Sequence, residues 1–82
     1  MESDILRFFQ SDGERRGLPP GYCTRIAKEL RRNGVKDMKS LCVLMEQNPE
    51  KVRSLRNIGD KSMDVIRDII KSYVSTNVPG AV

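Results

Sequence analysis

Apolar residues in this chain recur at helical intervals and nowhere alternate for long. Met63, Ile66, Ile69, Ile70 and Tyr73 fall three and four positions apart, the spacing that lines one face of a helix. Ile26, Ala27 and Leu30 do the same, with Cys23 one turn earlier, and so do Met38, Leu41, Cys42 and Met45. No stretch alternates apolar with polar long enough to make a strand. A chain of 82 residues has room for one small core, burying only ~60 % of the surface its unfolded form exposes. The pattern predicts an all-α fold, a compact bundle of four or five short helices.

Start and stop signals place those helices. Ser3 is expected to cap a short helix carrying Ile5, Leu6, Phe8 and Phe9, whose aromatic rings should pack onto the core. Ser11 to Gly21, SDGERRGLPPG, reads as a loop, because it holds three of the six glycines and two of the four prolines. A long helix should begin near Gly21 or Tyr22 and run to about Asn33, with Gly34 as its stop and Val35 returning to the core. Asp37 is the expected N-cap of the next. Asn48 should cap a short helix with Pro49 in its first position, ending near Leu55 or Arg56. The last helix should start after Gly59, with Asp64 and Asp68 a mildly unfavourable like-charge pair. The closing residues, VSTNVPGAV, carry no pattern and are expected to fray. The chain thus divides into an N-terminal helix and loop (1–19), a helical bundle (20–74) and a flexible tail (75–82).

The composition is 38 % hydrophobic and 32 % charged, that of a folded, soluble chain. No apolar run approaches the ~18 residues of a membrane span, and MESDILRFF lacks the make-up of a secretory signal. A cytoplasmic protein is expected. Cys23 and Cys42 stand far apart in a chain without histidine, which excludes the usual Cys/His zinc sites and predicts two core-filling thiols.

Charge is unevenly placed. Residues 1–14 carry four acids against one base, residues 15–67 carry thirteen bases against six acids, and the rest balance. The net +4 therefore belongs to the middle of the chain. A basic domain of this size suits either a polyanionic partner or simple solvation.

The connection between the last two helices, Arg56-Asn57-Ile58-Gly59, is short enough to force a sharp turn. Such a turn needs positive φ, for which Asn57 and Gly59 are the candidates, with Ile58 between them plugged into the core. This is the pattern of a helix–hairpin–helix, with asparagine in place of the first of two glycines. Beyond Gly59 the next helix presents N–H groups that have no partner within it and carry the positive end of its dipole. A phosphate can approach a glycine closely, and Lys61 and Ser62 add a charge and a hydroxyl on the same turn. The plainer reading is a turn glycine followed by an N-cap at Asp60 or Ser62. Asp60 favours that reading, since a carboxylate repels phosphate.

The block VRSLRNIGDKSMDVI, from Val52 to Ile66, resembles one in the C-terminal domain of the bacterial RNA polymerase alpha subunit, which typically reads I-R-N-L-G-x-K-S-L-x-E-I. Asn57, Gly59, Lys61 and Ser62 stand in place. A second block, TRIAKELRRNGV from Thr24 to Val35, is similar to the family's V-R-S-x-N-x-L-x-x-x-G-I, with Arg25, Leu30, Gly34 and Val35 matching. The resemblance covers roughly Pro20 to Tyr73 and needs about three extra residues between Met45 and Pro49. It implies a diverged bacterial copy that binds the minor groove of A·T-rich duplex DNA in a transcription context. RNA polymerase, sigma factor or a transcription regulator are the implied protein partners. Arg25 matches the arginine that enters the groove. Asn57, Gly59, Lys61 and Ser62 match the surface that holds the DNA backbone.

Two departures bear on the site. Lys28 replaces the family's asparagine, keeping affinity for phosphate but losing two-way amide hydrogen bonding. Asp60 stands where the family is often basic. The expected DNA-binding set is therefore Arg25, Lys28, Asn57, Gly59, Lys61 and Ser62, in a monomer with no cofactor and no metal. The alternative is a protein-interaction module of the same fold that has lost DNA binding. Convergence of Arg25, Lys28, Lys61 and Arg56 on one face favours the first; their scatter, or pairing of the acidic first helix with them, favours the second. Catalysis has no carriers: there is no histidine, no base beside either cysteine and no Gly-rich nucleotide loop.

Overall fold

The computed structural model describes residues 4–77, with side chains to residue 75. Five helices follow one another: α1 (Ile5–Arg15), α2 (Pro20–Arg32), α3 (Met38–Gln47), α4 (Pro49–Arg53) and α5 (Asp60–Asn77). There is no strand among the described residues. Only an isolated bridge joins Asp4 to Asp37, where the Ile5 N–H donates to the Lys36 carbonyl at 3.2 Å. The all-α bundle predicted from apolar spacing is the observed architecture.

The core is built largely from the predicted stripes, but Cys42, expected to fill the core, and Met45 and Ile70 are only half-buried at its edge. Cys23, Ile26, Ala27 and Leu30 of α2, Met38 and Leu41 of α3, and Met63, Ile66, Ile69 and Tyr73 of α5 are all buried. Ile5 and Phe9 of α1 join them, both fully buried. Phe8 is half-buried and meets the Tyr73 ring edge-on at 5.3 Å between centroids. Each fully buried Leu, Ile or Phe contributes roughly 1.5–3 kcal/mol. No described helix is long and apolar enough to cross a membrane.

The segment from Ser11 to Arg15 corrects the loop expected there: it is the second half of α1. Asp12 and Gly13, turn residues by chemistry, are both buried. Gly13 allows α1 and α2 to close, since a Cβ at that position would stand 2.5 Å from the Cys23 Sγ. Asp12 ties α1 to α5. Its carboxylate takes bonds from Arg15, from Arg16 at 2.6 Å and from the Ser72 hydroxyl at 2.9 Å. Arg16 also donates to the Asp68 carbonyl at 2.8 Å. Burial alone would raise the Asp12 pKa. The hydrogen bonds from Arg16, Arg15 and Ser72, with the Arg16 charge, outweigh it and hold the carboxyl below its ordinary value.

The helix ends follow backbone accounting. Asp4 caps α1, accepting from the Arg7 N–H at 3.1 Å; Ser3, the expected cap, lies outside the described residues. Asp37 caps α3 as predicted, accepting from the Ser40 N–H at 2.7 Å. α1 and α2 both end on a left-handed glycine, Gly17 at φ 75° and Gly34 at φ 89°. In each case the next residue's N–H reaches back to a carbonyl five positions earlier, at 2.8 and 2.9 Å. Asn48 precedes Pro49 but makes no side-chain cap bond. α4 is shorter than expected, stopping at Arg53. α5 is longer: it carries Val74 to Asn77 as helix, where fraying was expected. Val78 to Val82 lie outside the described residues. Both cysteines are free. Burial raises both thiol pKa values, and for Cys23 the nearby Asp12 charge adds to it.

Candidate nucleic-acid interface

The exposed face of α2 is built by the same period that builds its buried face. At 3.6 residues per turn, Arg25, Lys28 and Arg32 fall within an arc of roughly 60° opposite the apolar stripe. Arg25, Lys28, Arg31, Arg32 and, just beyond the helix, Lys36 are all exposed. The single acid of α2, Glu29, is buried instead. Its carboxylate accepts from the Asn33 amide at 3.2 Å and lies 3.6 Å from Arg32. Lys28, Arg31, Arg32 and Lys36 line an open cleft of about 400 Å³. The α2 face is therefore uniformly cationic.

The turn between α4 and α5 behaves differently from its sequence pattern in one respect. Asn57 takes the left-handed conformation, at φ 67°, and Gly59 does not. Ile58 is plugged into the core between them, as expected. The Gly59 carbonyl accepts the first bond of α5, from the Met63 N–H at 2.9 Å, so Gly59 is the N-cap of that helix. It is exposed, and a Cβ built there would meet nothing within 4 Å. Neither backbone strain nor packing requires glycine at this position.

The two polar neighbours of Lys61 have settled partners. The Asp60 carboxylate pairs with Arg53 at 2.6 Å, both side chains being more than half exposed. Its negative charge at the turn is thereby offset by a cation from α4. Ser62 is 94 % buried, and its hydroxyl shares a hydrogen bond with the Tyr22 hydroxyl at 3.1 Å. This bond sets the first turn of α2 against the first turn of α5. Arg25 stands one turn along α2 from Tyr22. Lys61 lines a cavity of about 170 Å³ with Tyr22, Leu18, Pro19 and Val65. Arg25, Lys28, Asn57, Gly59 and Lys61 are all exposed; of the six expected site residues only Ser62 turns inward.

The cations divide into two groups. Arg15 and Arg16 are committed to Asp12, Arg53 to Asp60 and Arg67 to Asp64. The side chains of Arg25, Lys28, Arg31, Lys36, Arg56 and Lys61 have no carboxylate or hydrogen-bond partner among the described residues, and neither have Lys51 and Lys71 elsewhere on the surface. The acidic residues of α1 do not reach them: Asp12 is enclosed by Arg15 and Arg16.

Two contributors, Tyr22 and Arg53, were not foreseen. Tyr22 offered no signal beyond being half-buried aromatic chemistry at a helix start. Arg53 lies seven positions from Asp60, outside the i, i+4 reach that a helix pattern can reveal. The inward turn of Ser62 was readable, because Ser62, Ile66, Ile69 and Tyr73 share one helical face.

No model of a known protein family, no curated protein and no solved structure matches this chain.

Proposed function

We propose that this chain is a duplex-DNA-binding domain acting in a transcription context. Arg25 enters the minor groove of A·T-rich DNA and the α4–α5 turn holds the sugar–phosphate backbone. The observation that carries the reading is the division of the cations. Arg25, Lys28 and Arg31 on α2, with Arg56 and Lys61 at the α4–α5 turn, are left without intramolecular carboxylates, while Arg15, Arg16, Arg32, Arg53 and Arg67 are paired. A narrow A·T minor groove concentrates negative potential and draws in a guanidinium. Lys28, Arg31 and Lys36 extend the contact along phosphates as point charges. Lys61 and the leading N–H groups of α5 beside Gly59 make the second contact.

The resemblance to the RNA polymerase alpha C-terminal domain supports the same two surfaces. The present geometry alters one role. Ser62 serves as a positioning residue, locking α5 to α2 through Tyr22, and leaves backbone contact to Lys61 and the helix end. Lys28 in place of an amide exchanges base recognition for charge. Affinity should therefore be strongly salt-dependent and only modestly sequence-selective.

The test is fluorescence anisotropy of a labelled A·T-rich duplex against a G·C-rich one. Saturable binding at low salt, tighter on the A·T-rich duplex, is expected. Absence of binding at low salt would refute the reading and leave the fold to its protein-interaction alternative.

A further inference from the structure

The two large apolar side chains most exposed among the described residues are Val43, at 51 %, and Val74, at 44 %. They stand on adjacent helices, α3 and α5, and of the two Val74 borders the groove between them. Between those helices Cys42, Met45, Ile70 and Val74 line an open groove of about 380 Å³. Along α5, Arg67, Ile70, Lys71 and Val74 repeat at i, i+3, i+4 and i+7, a second stripe beside the buried one. Ile66 and Ile69 are fully buried, whereas Ile70 is only half covered. α5 thus leaves Ile70 and Val74 partly uncovered beside the core, at the floor of a groove with charged rims.

We infer that this groove receives a second copy of the same chain, the α3–α5 face of one molecule on the α3–α5 face of the other. The rims name the occupant. Glu46 edges the groove on α3; Lys71, and Arg67 within its pair with Asp64, edge it on α5. Neither Glu46 nor Lys71 has a partner among the described residues. A two-fold axis through the groove lays each acidic α3 rim over the other copy's basic α5 rim, so every pair is made twice. A partner of uniform charge would meet repulsion on one rim. The groove shares no residue with the α2 stripe or the α4–α5 turn, so the inference stands apart from the DNA reading.

The test is sedimentation equilibrium of the whole chain under reductant, from micromolar to millimolar, the range of a small interface. The mass should rise from 9.3 kDa toward twice that value. Glu46→Lys and Lys71→Glu, both at exposed positions, should each weaken association by at least roughly tenfold, since each change acts twice and turns attraction into repulsion. Val74→Asp should do the same through the apolar centre. The double variant Glu46→Lys with Lys71→Glu should restore association to within about threefold of the parent, which only a homotypic interface allows. A constant monomer mass at millimolar concentration overturns the proposal. A double variant no better than the single ones overturns it equally.

Discussion

Tyr22 and Ser62 meet hydroxyl to hydroxyl at 3.1 Å across forty positions of sequence. One is in the first turn of α2 and the other in the first turn of α5. Their bond fixes the relation between the Arg25 stripe and the α4–α5 turn. Tyr22→Phe and Ser62→Ala should each cost about 1 kcal/mol of stability. The double variant should cost less than the sum, by roughly 0.5–1.5 kcal/mol. A double-mutant cycle by chemical denaturation checks this, and strict additivity would deny the bond.

Arg53 and Asp60 form an exposed pair, and such pairs contribute little to folding, about 0–1 kcal/mol. The consequence lies in binding. Arg53→Ala should leave stability nearly unchanged, yet weaken duplex DNA binding severalfold, because it uncovers a carboxylate at the phosphate contact. Adding Asp60→Asn should recover the loss. Equal binding by the parent and Arg53→Ala would show that the turn does not face phosphate.

Gly13 is held by a neighbour rather than by its own backbone. Alanine is favoured over glycine inside a helix by roughly 0.5–1 kcal/mol, so Gly13→Ala on an isolated α1 would stabilise it. In the folded chain the new methyl meets the Cys23 Sγ at 2.5 Å. Gly13→Ala should therefore destabilise the protein, by about 1–3 kcal/mol. Cys23→Ala in the same chain should return part of that loss. Thermal melts of the two single variants and the double variant decide it.

Acid stability follows from Asp12. Its folded pKa lies below the unfolded value, so it binds its proton less readily in the folded state. Its contribution is complete above the unfolded value, about 3.9, and is lost as pH falls through the folded one. Asp37, lowered chiefly by the Ser40 backbone hydrogen bond, acts in the same direction. Stability should be level near neutrality and decline below about pH 4. Asp12→Asn should cost about 1–3 kcal/mol at neutral pH and flatten the acid decline. An unchanged decline would place the linkage elsewhere.

The fold was legible where periodicity speaks. The stripes of α2, α3 and α5 needed only the 3.6-residue repeat, and Asp37 announced its own cap. The second half of α1 was not legible. Ser11, Asp12 and Gly13 have the local chemistry of a turn. What overrides it is tertiary: Ser72 and Cys23, far along the chain, supply a hydrogen bond to Asp12 and a close surface for Gly13. At the candidate interface, Arg25, Lys28 and Lys61 stood out as exposed cations and are exposed. Asn57 and Gly59 looked interchangeable in the turn, and only the backbone path assigns the left-handed position to Asn57. The long-range partners of Asp60 and Ser62 leave no mark on a local pattern.

The most direct measurement is the affinity for an A·T-rich duplex as a function of salt, with Arg25→Ala alongside. Three to five phosphate-neutralising cations give a slope of log affinity on log salt of roughly −3 to −4.5. Arg25→Ala should lower affinity by about 1–3 kcal/mol, reduce the slope by about 1 and diminish the preference for A·T over G·C. An Arg25→Ala chain that binds as tightly as the parent, with the same slope and preference, would contradict the proposed grip.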